Sequence, residues 1–337
     1  MPTRRAFLSA ATATAALGLV PAHVLADGRK TIVEVPITFD KWGRPLLDLT
    51  FATGGPYNFL VDTGAGLPII RDSVARGLKL EKHGAANTDS LGGESRNAYY
   101  GASEVLAGGM FLIPRMEFVG VYDVHSPGID GALPASFLTS KPTELDFTAG
   151  CIRYYLNGAP IDLTGFTRLD AITNNADADG EAAGASKVYV NVVLEGRKMT
   201  CLVDTGAAGR LFISPTFATL TGLWDHYSDA RESVSVGANG KRVKTRVARA
   251  GAFDMGGVSF DAVRITMGDP DAEDTSYGSH DGIIGAGLLS QFTLAFNHGA
   301  LHVKPNAYFD ADAGRDVPLK PFPPQPPVLP APPAPGK

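Results

Sequence analysis

The chain has 337 residues, 44% of them hydrophobic, with 35 acidic against 30 basic side chains and a formal net charge of −5. That apolar content fills two modest cores, and the slight negative charge, interspersed along the chain, excludes a nucleic-acid or anionic-surface binder. Two cysteines, Cys151 and Cys201, are too few for a disulfide framework or a structural zinc site.

At the N-terminus, Thr3-Arg4-Arg5-Ala6-Phe7-Leu8 precedes a small, apolar stretch to Val20 and then Val24-Leu25-Ala26, a small-residue cleavage site. Residues 1–26 therefore read as a signal peptide. The arginine pair resembles a bacterial twin-arginine leader, which exports folded proteins, and predicts a periplasmic or secreted protein. The apolar stretch is short and rich in alanine and threonine, so no stable membrane insertion is expected once the leader is gone. Few residues separate Ala26 from the first predicted strand at Thr31, so no long prosegment is expected either.

Alternating β-branched and aromatic residues over Thr31 to Phe39, Lys187 to Leu194 and Val258 to Met267 read as strands, and the class is all-β with few, short helices. Between these strands one six-residue string occurs twice, Leu60-Val61-Asp62-Thr63-Gly64-Ala65 and Leu202-Val203-Asp204-Thr205-Gly206-Ala207. Each copy follows an apolar run, Tyr57 to Val61 and Met199 to Val203, so each aspartate is placed where a buried strand meets a glycine-permitted turn. Short helices should follow over Asp72 to Gly77 and Ser214 to Gly222. Ser214-Pro215 gives an N-cap with a first-turn proline, and Gly77 and Gly222 read as helix-ending glycines.

The halves also close alike: Asp130-Gly131-Ala132-Leu133 with Leu145 and Phe147 parallels Asp281-Gly282-Ile283-Ile284-Gly285 with Leu294 and Phe296. The predicted organisation is a signal peptide over 1–26, a first half over 27–165, a linker over 166–186, a second half over 187–312 and a proline-rich tail over 313–337. The linker's core, Thr173 to Ser186, is polar and rich in alanine and glycine. The tail is expected to be extended. The two cysteines are expected to be buried free thiols.

Two carboxylates about 3 Å apart cannot both ionise, so such a pair holds one proton and serves as base and acid together. Asp-Thr-Gly after an apolar strand, twice in one chain, resembles the aspartic proteases, both pepsin-like and retroviral. The resemblance implies a bilobal fold of two pseudo-twofold-related, β-barrel-like halves, with Asp62 and Asp204 as the catalytic dyad. It assigns Thr63 and Thr205 to bracing the opposite loop, and Gly64 and Gly206 to letting backbone approach the carboxylates. It also implies a β-hairpin flap over the site; Gly92 and Gly93 in the first half and Asn239 and Gly240 in the second are the candidate tips. Pro134 departs from the pattern, standing where Gly285 does, which brings the loop under Asp62 into question because proline has no N–H and no positive φ.

The chemistry so implied needs neither metal nor cofactor. The partner is a peptide or protein substrate, and a monomer with an internal pseudo-dimer suffices. A second reading keeps the fold and drops the chemistry: a catalytically silent protein that grips an extended peptide by strand addition. The intact pair of aspartates, threonines and glycines favours an endopeptidase. The run Gly282-Ile283-Ile284-Gly285-Ala286-Gly287 mimics a dinucleotide fingerprint, but Ser290 holds the third glycine position and too little chain follows to build that fold. The seven histidines show no paired ligand spacing, and there is no Gly-x-Ser-x-Gly elbow.

Overall fold

The strands that lead to the two aspartates sit in equivalent surroundings. A computed structural model of the protein describes residues 20–21, 31–90, 93–121, 127–174, 187–237, 242–271 and 280–316. In the first half, Gly54–Val61 runs parallel to Gly131–Leu133, which is antiparallel to Ile69–Arg71. In the second, Arg197–Asp204 runs parallel to Gly282–Gly285, which is antiparallel to Leu211–Ile213. Each aspartate thus leaves a strand flanked on one side by a strand from the close of its own half. The three-residue strands are almost wholly apolar because both faces are covered: Val61, Leu133, Val203 and Ile284 are all fully buried.

These units belong to a nine-stranded and an eleven-stranded sheet, one per half. A six-stranded sheet joins the halves, in the order Thr167–Arg168, Ala300–Pro305, Phe292–Asn297, Thr143–Asp146, Cys151–Leu156, Thr31–Pro36. At its centre the two halves pair directly, antiparallel, with Leu145 opposite Leu294. Those leucines are the residues that the sequence repeat equates, so the pseudo-twofold axis passes between them. Pairing across the axis makes one sheet of two halves and buries both leucines completely.

Local chemistry explains the elements. In Lys187–Leu194, Val188, Val190, Val192 and Leu194 alternate inward, at most 2% exposed. The helix Asp72–Gly77 has the predicted bounds, and in Pro215–Leu220 the Ser214 hydroxyl accepts from Phe217 N–H with proline at the first turn. Gly222 is left-handed, at φ 74°, and ends that segment. Gly77 is the last helical residue of its segment, but the left-handed turn falls on Lys79, at φ 55°.

The predicted linker needs correction where it is described. Thr167–Arg168 pairs with Val303 and His302, and Ala171–Asn174 pairs with Lys187–Leu194, so these residues are edge strands of the second half. Asp312–Ala313 likewise pairs with Ala262 and Val263, carrying the sheet into the start of the predicted tail. Residues 175–186 of the linker and 317–337 of the tail lie outside the described residues, as does the leader except for Val20–Pro21, which pairs at a sheet edge with Phe111 and Leu112. Cys151 and Cys201 are buried free thiols, and burial pushes both thiols above their ordinary pKa.

Candidate active site

The fold brings the two Asp-Thr-Gly loops face to face. Thr63 Oγ1 donates to the Val203 carbonyl at 2.6 Å and accepts from Thr205 N–H at 3.0 Å. Thr205 Oγ1 donates to the Val61 carbonyl and accepts from Thr63 N–H at 3.1 Å. Both threonines are fully buried, so each hydroxyl satisfies one donor and one acceptor of the opposite half that water cannot reach. A cross-lobe lattice of four hydrogen bonds therefore sets the spacing of the aspartates on either side.

Each carboxylate is oriented by its own loop. Gly64 and Ala65 N–H donate to Asp62 Oδ1 at 2.9 and 3.1 Å, and Gly206 and Ala207 N–H donate to Asp204 Oδ1 at 2.8 and 3.1 Å. The glycines face the opposite aspartate. A Cβ on Gly64 would lie 2.5 Å from Asp204 Cγ, and one on Gly206 would lie 2.3 Å from Asp62 Cγ. Any side chain at either position would occupy the space that the partner carboxyl needs.

With backbone N–H groups fixing one oxygen of each, each carboxyl lies against the glycine of the opposite loop, close enough for the two to act on one another. Burial pushes Asp62 above the ordinary carboxylate range, against the lowering effect of the bond to Asp204, its two N–H donors and the charge of Lys187. Asp204 is pushed well above that range by burial, by the charge of Asp62 and by the hydrogen bond to it. The pair therefore holds one proton between the two carboxyls over a range where a lone carboxyl would have lost it.

Pro134 fits at the loss of one hydrogen bond, because Gly285 N–H donates to the Arg210 carbonyl at 2.8 Å and proline has no N–H. Gly285, its counterpart, has an extended φ of −94°, so this position needs no positive φ. What Gly285 needs is room: a Cβ there would lie 2.4 Å from the Gly209 carbonyl, in a loop one residue longer than its first-half counterpart. Around Pro134, Asp62 N–H still bonds Leu133 O at 2.9 Å, and Ala135 N–H bonds Ala65 O at 3.2 Å, as Ala286 N–H bonds Ala207 O at 2.8 Å.

Of the candidate flaps, the first is a hairpin of Glu81–Ser90 with Gly93–Ala107, Ser90 pairing with Gly93; Gly92 lies outside the described residues. The second is Arg231–Val236 with Arg242–Ala250, and Asn239 and Gly240 lie outside them. Tyr100 belongs to the core, its hydroxyl on Asp72 Oδ1 at 2.5 Å, while Tyr99 is half-buried.

Sequence reasoning missed two sets of supporting residues. Asp130 and Asp281 are matched braces: their carboxylates accept Asn58 N–H at 3.0 Å and Thr200 N–H at 2.9 Å, four residues before each aspartate. The shared Asp-Gly of the repeat carried that signal. Arg44 crosses from the first half and donates to the Gly206 carbonyl at 3.2 Å; only the register of the two halves, seen in space, points to it. Among the described residues no cluster of His, Cys, Asp and Glu suits a metal.

Two β-rich lobes related by a pseudo-twofold, each giving one Asp-Thr-Gly loop to a common site, define the aspartic proteases. Residues 190–288 match a family model described as aspartyl protease, and the fold is the one seen in a solved aspartic proteinase. An aspartic proteinase from Irpex lacteus is 14% identical, with a TM-score of 0.52 over 84% of this chain and 100% of that one. A basic 7S globulin from soybean is 11% identical, with a TM-score of 0.47 over 85% and 99% of the two chains. A retropepsin-like aspartic protease from Rickettsia conorii is 18% identical, with a TM-score of 0.27 over 41% of this chain and 92% of its own. No curated protein matches the sequence.

Proposed function

We propose that the protein is an exported aspartic endopeptidase that acts as a monomer on peptide or protein substrates. The observation that carries this reading is the meeting of the two Asp-Thr-Gly loops, tied by the threonine hydroxyls with each carboxyl against the opposite glycine, where burial pushes both carboxyls above the ordinary range. Asp62, ionised, takes a proton from a water molecule as its oxygen attacks the peptide carbonyl carbon. The proton of Asp204 passes to the carbonyl oxygen, giving a neutral gem-diol. Asp62 then gives its proton to the amide nitrogen, the C–N bond breaks, and Asp204 recovers a proton from the diol hydroxyl. Both carboxyls end as they began.

Export is supported by Arg4-Arg5 and the apolar stretch behind them. The test is to incubate the leader-free protein with a diverse peptide mixture across pH, beside Asp62→Asn, Asp204→Asn and a pepstatin-treated sample. New peptide termini should arise with the parent alone. Cleavage that survives both substitutions overturns the two-carboxylate mechanism. Peptide retention by the parent without any cleavage would identify a binding protein instead.

A further inference from the structure

Arg44 ends a short hairpin loop of the first half, between Thr38–Phe39 and Pro45–Phe51, in which Phe39 pairs with Pro45. The loop is built to aim it. One carboxylate oxygen of Asp40 accepts from Trp42 N–H at 2.9 Å and from Arg44 N–H at 3.0 Å, and the other accepts from Arg44 Nε at 2.7 Å. Gly43 takes the left-handed turn, at φ 79°, and faces the second half, where a Cβ on it would lie 3.7 Å from Ser290 Cβ. The guanidinium carbon stands 5.1 Å from the centre of the Trp42 ring. So held, Arg44 is 7% exposed and donates through Nη1 to the Gly206 carbonyl at 3.2 Å.

That carbonyl belongs to the peptide whose other end holds Asp204. The N–H of the Gly206–Ala207 peptide is that of Ala207, which donates to Asp204 Oδ1 at 3.1 Å. One peptide plane thus lies between guanidinium and carboxyl, its oxygen on the first and its N–H on the second. Such a plane cannot rotate without breaking both bonds, and a cation at its oxygen makes its N–H a stronger donor. The restraint falls where the chain is least constrained. Gly206 must lack a Cβ, which would lie 2.3 Å from Asp62 Cγ, and glycine restricts its own backbone least of all residues. The threonine lattice stops one residue short, at Thr205.

We propose that Arg44 is a positioning residue for Asp204: it pins the Gly206–Ala207 peptide from the opposite half and so fixes the direction in which the Asp204 carboxyl faces Asp62. Asp40 lies 2.7 Å from Arg44 Nε and offsets its charge, so the action is on geometry. The proposal rests on the two-carboxylate reading above and deepens it.

The test compares the parent with Arg44→Met, Arg44→Lys and the double variant Asp40→Asn/Arg44→Met. The double variant leaves no unpaired carboxylate behind, and so serves if the single one fails to fold. One readout is the NMR shift of the Ala207 amide proton, with Ala65, its counterpart on Asp62, as internal control. The other is kcat and KM on a peptide substrate. Without the guanidinium the Ala207 amide proton moves upfield while that of Ala65 stays, and kcat falls about tenfold with KM within about twofold of the parent's. Arg44→Lys keeps a charged donor and restores both. An unmoved Ala207 amide in a folded methionine variant overturns the assignment, whether or not the protein cleaves peptides. A moved amide with kcat equal to the parent's overturns the positioning role. A moved amide where the parent itself is inert toward every peptide keeps the tie between Arg44 and the Asp204 loop and overturns the peptidase reading.

Discussion

Replacing Thr205 by valine keeps the side-chain shape and deletes one hydroxyl, so it isolates the cross-lobe lattice from packing. The hydroxyl serves two groups of the first half, donating to Val61 O and accepting from Thr63 N–H at 3.1 Å. Both threonines are fully buried, and no replacement partner is within reach of water. Each orphaned buried group costs about 1–3 kcal/mol, so the substitution should destabilise the protein by roughly 2–6 kcal/mol. Thr205→Ser keeps the hydroxyl and loses a methyl, which costs about 1 kcal/mol. Equilibrium urea unfolding of both variants beside the parent measures the difference. A valine variant no less stable than the serine variant would refute the claim that the hydroxyl, and not the methyl, ties the lobes together.

Four further outcomes follow from the structure. Gly206→Ala sets a Cβ 2.3 Å from Asp62 Cγ; the carboxyl must move by about 1 Å, and kcat/KM should drop about a hundredfold or more. Gly77→Ala, in a helix with nothing within 4 Å of the new Cβ, should leave kcat/KM unchanged and gain about 0.5–1 kcal/mol in urea unfolding. Ala207→Ser adds a hydroxyl beside Asp204; a bond from it to the ionised carboxylate lowers the pKa, so the pH profile of kcat/KM should move toward acid, and an unmoved profile in the active variant would exclude such a bond. Asp204→Asn bears on stability. A carboxyl raised in the folded state stabilises it below its unfolded value, about 4, and that stability is lost as pH rises through the folded value. The asparagine variant should therefore match the parent near pH 3 and exceed it at pH 7 in thermal unfolding; equal stability at both would mean the pair carries no shared proton.

What was legible in the sequence is what the chain writes locally. The duplicated Leu-Val-Asp-Thr-Gly-Ala string, the alternation of Lys187–Leu194, and the Ser214-Pro215 start of a helix each state their conformation within a few residues. The limits of local reading show at Gly77, which is the last helical residue while the left-handed turn beyond it is taken by Lys79 two residues on. They show again at Ala171–Asn174, whose neighbours read as linker until Lys187–Leu194 is placed beside them. The reach of Arg44 to the Gly206 carbonyl spans 162 residues of sequence. No spacing rule predicts such a contact; only the twofold brings its ends together.

The departures between the halves therefore matter more than their likeness. A duplicated fold by itself delivers two equal carboxyls, two equal threonine braces and two equal pairs of N–H donors, and equality leaves the shared proton without a preferred side. The loop after Asp204 is longer by one residue, so Gly209 crowds the position of Gly285 and only glycine fits; the shorter loop after Asp62 leaves room for Pro134. That difference alters shape but leaves the hydrogen bonds to each carboxylate alike, since both aspartates accept two backbone N–H groups on Oδ1. It cannot separate acid from base. Charge differs in what is described: Arg44 of the first half, paired with Asp40, reaches across to the Gly206 carbonyl beside Asp204. Bracing and orientation are thus inherited by both halves, so that two equally held carboxyls come to share one proton.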